Sequence, residues 1–338
     1  MSKRLSTSLL FAALLVAGCD AVGDGDSPDT PIAGEPISEA AGYPVVVDEV
    51  WGFVDARGSL LVQPQFDSAD DFAGGFAAVR IGPFWGFVNE GGAVVVEPQF
   101  DFAGRFGDGL APVRTVDGWG FIDATGAFVV EPRYDNARSF AEGRAAVRDG
   151  LRWGYIDATG AVVVEPQFAS AGDFSEGLAP VETLDGWGYV DPAGSLVIAA
   201  TYGEAGAFSN GRAPVLIGDG WGFVDTQGSV LVNPRFDAAG SFGGGIAPVR
   251  VDGRFGYVDT AGDLTITPQF DEATPCQQGR AAVLLGSRWS YIDCATGLII
   301  TTPRFSAAFP FQGIARVELD QRIGYIDRNG DYVWQPTE

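Results

Sequence analysis

The sequence predicts an all-β body built from tandem 34-residue units, each a three-stranded antiparallel meander. Two observations carry this. A Trp-Gly pair recurs at Trp51, Trp85, Trp119, Trp153, Trp187 and Trp221, and the step continues in register through Phe255, Trp289 and Ile323, giving nine units. Between these marks, short apolar runs of strand length are separated by turn residues at fixed offsets.

Each element of a unit has a local reason. In the fourth unit, Ala145-Ala-Val-Arg148 is a first strand, and Asp149-Gly150 opens a tight turn. Trp153-Gly-Tyr-Ile-Asp157 is a second strand. Asp157-Ala-Thr-Gly160 then places Asp first and Gly fourth in a type I turn, where the carboxylate can accept from the turn's own backbone. The same turn chemistry accounts for Asp123, Asp191, Asp225 and Asp259 without a bound calcium ion. Ala161-Val-Val-Val-Glu165 is a third strand, ended by Pro166, and a longer link carries Phe174 and Gly177. Loops this short make neighbouring strands antiparallel.

Prolines lie in the first strand (Pro112, Pro180, Pro214, Pro248) or close the third (Pro64, Pro98, Pro132, Pro166, Pro234, Pro268). Proline cannot donate to a ladder and belongs on edges, so the units are expected to stack through side chains. Consecutive valines in the third strand (Val94–Val96, Val162–Val164) suggest a sheet covered on both faces. Such blades could wind as an open superhelical array or close into a β-propeller-like ring. Nine units exceed the usual four to eight propeller blades, and the open array is the expectation.

Composition narrows the function. The 338 residues carry 21 Lys+Arg against 44 Asp+Glu and no histidine, for a net charge of −23. Without histidine there is no Ser-His-Asp or Cys-His catalytic arrangement and no His-ligated metal. The acidic balance argues against nucleic acid, whose phosphates need a basic face. Residues 1–18 combine Lys3-Arg4 with the apolar run Leu9–Val16, the make-up of a secretory signal peptide. The ending Leu15-Val16-Ala17-Gly18-Cys19 resembles a bacterial lipobox, which implies lipidation of Cys19 and an anchor at the cell envelope, on the periplasmic or surface side. Removing Lys3 and Arg4 with this leader takes the net charge from −23 to −25. Residues 19–42, rich in Asp, Gly and Pro, read as a flexible acidic linker, and residues 43–338 as the repeats.

The nine in-phase units, six of them opening on Trp-Gly, resemble the WG-repeat family of bacterial proteins. That resemblance implies a β-rich, often exported body with little assigned biochemistry. Trp51, Trp85, Trp119, Trp153, Trp187, Trp221, Phe255 and Trp289, with Phe or Tyr two residues later, share one strand face and are expected to form the core between units, the intervening glycine allowing their close approach. The competing reading is a ladder of sugar-stacking platforms. Carboxylate pairs such as Glu131/Asp135 and Glu165/Asp173 recur without a singular pair, which argues against an active site. Cys276 replaces a recurring Phe, and Cys294 is an extra turn residue in the next unit. Two such departures in neighbouring units of an exported chain suggest a disulfide. The expectation is therefore a monomeric, non-enzymatic scaffold at the envelope, without metal or cofactor. It would bind a protein partner, or alternatively glycan or cell wall through exposed aromatics, and meet the membrane only through its lipid.

Overall fold

A computed structural model describes residues 42–336; Cys19, the leader and nearly all of the linker lie outside them. These residues form nine small antiparallel sheets and no helix. The sheets follow one another along the chain as blades 1 to 9, each carrying its own strands. In blade 4, Arg144–Asp149 pairs with Arg152–Asp157, which pairs with Val162–Phe168. A two-residue strand, Asn136–Ala137, adds a fourth member beside Arg148 and Val147. The meander is thus the predicted one, extended by a short strand drawn from the link.

The glycine after each Trp has a local cause that the sequence reading misplaced. It does not ease the approach of units. The register between second and third strands shifts between Trp119 and Phe121. A Cβ on Gly120 would lie 2.5 Å from the Val130 carbonyl oxygen and 2.8 Å from the Pro132 nitrogen, both in the same blade. The bulge brings two backbones together there, and only glycine fits. Blade 8 lacks it and also carries the extra turn residue Cys294 in the same hairpin. Ser290 occupies this place, its hydroxyl turned to the Thr301 carbonyl, and the third strand is reduced to the single bridges Ile292–Ile299 and Trp289–Phe305.

The blades stack through nine equivalent apolar clusters. One joins Trp119, Phe121, Val130, Tyr134 and Phe140 to Ala145, Val147 and Ile156 of the next blade. Its counterpart at the two ends of the chain joins Ile323 and Tyr325 of blade 9 to Tyr43, Val45 and Val54 of blade 1. Turn glycines repeat the relation. Gly126 packs on Val96 of the blade before it, Gly160 on Val130, and Gly58 of blade 1 on Val333 of blade 9. The array is therefore a closed nine-bladed ring, not the open superhelix. Among the described residues closure exchanges no strand between the two ends, and the last junction is made of the same kind of side-chain contacts as the others.

The third strand also departs from expectation. Its paired apolar residues are not covered on both faces. Leu60 and Leu61, Leu196 and Val197, and Val230 and Leu231 are exposed at the free edge of their blades. Prolines 64, 98, 132, 166, 234 and 268 interrupt donation along that edge, which blunts edge-to-edge pairing with another chain.

Candidate functional site

The aromatic places settle into two grades of burial. Phe53, Phe87, Phe121, Tyr155, Tyr189, Phe223, Tyr257, Tyr291 and Tyr325 are all shut away between blades. Trp119, Trp153 and Phe255 are buried beside them, whereas Trp51, Trp85, Trp187, Trp221 and Trp289 are half-buried at the margins of the same clusters. Trp153 lies beneath two guanidiniums, those of Arg138 at 5.4 Å and Arg148 at 5.8 Å from its ring, a cation–π arrangement. The indoles seal the edges of a core whose centre is the ring two residues on.

That central ring meets a second ring from the link: Phe121 with Phe140 at 5.0 Å, Tyr189 with Phe208 at 4.8 Å, Phe223 with Phe242 at 4.8 Å. At blade 7 the link offers Tyr257 no such ring; Cys276 stands in its place, bonded to Cys294 with 6.2 Å between Cα atoms. Both cysteines belong to the buried cluster. At four of the five central tyrosines the hydroxyl donates to a link carbonyl, as Tyr155 to Gly172 at 2.7 Å and Tyr257 to Thr274 at 2.9 Å, the exception being Tyr325. Burial pushes the phenols of Tyr155, Tyr189, Tyr257 and Tyr291 well above their usual 10.0.

Removing the disulfide is expected to cost about 3 kcal/mol for cysteines 18 residues apart. The Cys276→Ser/Cys294→Ser variant should unfold at lower urea than the parent, and unreduced parent should yield neither thiol to alkylation after denaturation. Two alkylatable thiols would contradict the bond.

The recurring turn aspartates are occupied by their own backbones. One Asp123 oxygen accepts from the Thr125 hydroxyl at 2.6 Å and from the amides of Thr125 and Ala127. Asp157, Asp191, Asp225 and Asp259 repeat the amide pattern, and Asn89 makes it with an amide oxygen. Among the described residues, no group of three or more His, Cys, Asp or Glu comes together as a metal site. Hydrogen bonds from Thr125 hold the Asp123 carboxyl below its usual 3.8, and those from Thr159 do the same for Asp157. The stabilisation is complete above the unfolded value and disappears as pH falls through the lower folded one. The urea midpoint should therefore drop as pH is taken below about 4. Asp123→Asn, copying Asn89, keeps the acceptor but not the charge, so it should be slightly less stable than the parent at pH 7 and shallower in its acid dependence; an unchanged acid slope would count against the turn's contribution.

A further ladder was not foreseen from the sequence. Five links carry an acid or amide residue in the left-handed region: Asp108, Glu142, Glu176, Asn210 and Gln278, with φ between 49° and 56°. Four of these side chains reach one blade forward. Asp108 accepts the Gly143 amide at 2.6 Å, Glu142 those of Glu176 and Gly177 at 2.8 Å, Glu176 that of Gly211 at 2.8 Å, and Gln278 that of Gly313 at 3.0 Å. The signal was present as an acid or amide before Gly, close behind the link aromatic, but its partner lies 35 residues on. Of the carboxylates considered for catalysis, Glu131 and Glu165 are exposed on edge strands, and Asp135 caps the Gly150 amide. Two shallow depressions mark the surface. One of about 340 Å³ lies among Leu319, Asp320, Arg322, Tyr332, Gln335 and Pro336. The other, about 320 Å³, lies between Arg133 and Glu165.

Fold and site together define a repeat β-propeller-like protein whose interior is inter-blade core. The chain belongs to the WG containing repeat family, whose model matches residues 51–82, 85–118, 119–150, 153–186, 187–221, 221–255 and 255–289. Each matched unit starts at a second strand, so it straddles two blades. Among solved structures, a crystal structure of the eukaryotic initiation factor is similar with a TM-score of 0.62 at 12% identity, over 86% of this chain and 93% of that one. This likeness is one of fold. Dihydro-heme d1 dehydrogenase NirN in complex with DHE gives 0.46 at 12% identity over 80% and 75% of the two chains. PorZ, a bacterial surface component of the type-IX secretion system of Porphyromonas gingivalis, gives 0.37 at 10% identity over 79% and 44%. A comparison with curated proteins finds no match.

Proposed function

We propose that the chain is a non-enzymatic scaffold, held at the cell envelope by lipid on Cys19, that binds a protein partner on the ring surface. The observation that carries the reading is the employment of the repeated aromatic and acidic side chains. The rings fill the junctions between blades, and the recurring acids cap turns and neighbouring links. What varies from blade to blade is the surface, and in repeat proteins the extended surface is where a partner is read. No helix among the described residues is long and apolar enough to cross a membrane, so the anchoring rests on the leader and Cys19. Burial of the central rings speaks against the sugar-stacking alternative, which needs open aromatic faces.

The test is affinity capture from envelope extract with the processed, lipidated protein at low and high salt. A discrete protein retained at low salt and released at high salt is expected, given the acidic chain. Elution of the bound material by oligosaccharides, with quenching of tryptophan emission, would overturn the protein reading in favour of glycan.

A further inference from the structure

Nine hairpin tips, one between the first and second long strand of each blade, lie on one face of the ring. Five carry polar or charged residues: Asp48-Glu49, Gly218-Asp219, Asp252-Gly253, Gly286-Ser287 and Asp320-Gln321. The other four belong to consecutive blades, 2 to 5, and each presents exposed apolar side chains, as at Val116-Asp117, Gly150-Leu151 and Leu184-Asp185. Val116 is 92% exposed, Leu151 89% and Leu184 91%, while Ile81 and Phe84 flank the Gly82-Pro83 turn at 45% and 43%. No fold requirement places them there, since the polar tips make the same turns. Random drift would scatter such residues round the ring; here they form one arc.

We infer that this arc is a membrane-contact edge that dips into the interfacial layer of a lipid bilayer and fixes the tilt of the ring. Separate aliphatic side chains at turn apices, one blade apart, suit a fluid acyl boundary that closes around each of them. A protein interface instead buries a contiguous packed patch of about 1,200–2,000 Å². Arg80, Arg114 and Arg152 stand beside these tips, as Arg250, Arg254, Arg288 and Arg322 stand beside polar ones, and their guanidiniums can meet lipid phosphate. Asp117, Asp149 and Asp185 stand there too, so the contact would be made with zwitterionic as well as anionic headgroups.

The length of chain beyond the ring permits this. Tyr43 starts the first strand at the end away from its tip, Asp48-Glu49, so the tether leaves the opposite face. The strand is about 17 Å long, and residues 19–42 reach at most about 80 Å when extended. An anchored Cys19 would hold the arc at high effective concentration over the bilayer, so weak insertion suffices. The inference rests on the envelope-anchored reading for that tether, and it would leave the other face of the ring for a protein partner.

The experiment uses processed, lipidated protein in phosphatidylcholine vesicles with and without phosphatidylglycerol. An environment-sensitive dye is placed at Leu151→Cys or Leu184→Cys, and as a control at Asp252→Cys on blade 7. Blue-shifted emission and quenching by bilayer-embedded nitroxide are expected at 151 and 184, in both lipid mixtures, and neither at 252. Equal, water-like emission at all three positions would overturn the inference. So would a Val116→Asp/Leu151→Asp/Leu184→Asp variant that keeps the parent's hydrogen-exchange protection at blades 2 to 5 on vesicles but loses a protein partner, which would make the arc a protein-docking face. Intact mass of Cys19 reads the anchor separately: an unacylated Cys19 overturns the anchored reading whatever the dyes report.

Discussion

Tyr43→Ala is expected to open the ring. Tyr43 stands where other first strands carry Ala, as at Ala145 and Ala179, and its ring faces Tyr325 at 5.5 Å in place of a link aromatic. Its hydroxyl donates to the Gln312 carbonyl at 2.5 Å, and the Tyr325 hydroxyl donates to the Pro44 carbonyl at 2.8 Å. Truncating a buried aromatic costs about 3–5 kcal/mol, and here the loss falls on the one junction that the chain does not bridge covalently. The urea midpoint should fall, and small-angle scattering should show a larger radius of gyration as blades 1 and 9 part. Tyr43→Phe keeps the ring contact and should lose only about 1 kcal/mol with the hydroxyl's bond. An Ala variant with the parent's midpoint and radius would show that closure does not depend on this side chain.

Trp119→Ala should destabilise by about 3–5 kcal/mol without opening the ring. The indole is buried against Phe102 at 5.4 Å and belongs to the cluster between blades 3 and 4. Its junction is spanned by the chain itself and by the Asp108–Gly143 hydrogen bond, so the radius should stay that of the parent while the midpoint drops. The same change at half-buried Trp187 should cost less, because part of that surface already faces water. Equal costs at the two sites would mean that burial does not grade the tryptophans.

Much of this architecture was legible in the residues alone. The Asp-to-Gly turn at Asp157–Gly160, the strand at Trp153 and the first strand at Ala145 each follow from short-range geometry, and the structure reproduces them. The Cys276–Cys294 pairing could be suspected because both residues break a repeating pattern at once. What stayed hidden depends on partners that a linear pattern does not name. The glycine after each Trp looked like a spacer between units, yet it answers to a bulge against the adjacent strand of its own blade. The valines of the third strand looked doubly covered, yet a blade has one free edge, and periodicity alone cannot tell an edge from an interior.

The sequence by itself determined the unit: its strands, turns and repeat length, because these arise from contacts within a few residues. Only the tertiary structure decided that nine units close rather than wind. Closure depends on the small rotation from one blade to the next summing to a full turn, and no single unit records that sum. Tyr43 meets Tyr325, at the far end of the chain, for that reason alone, and the four tips with exposed apolar side chains become one arc only because the ring sets their blades side by side.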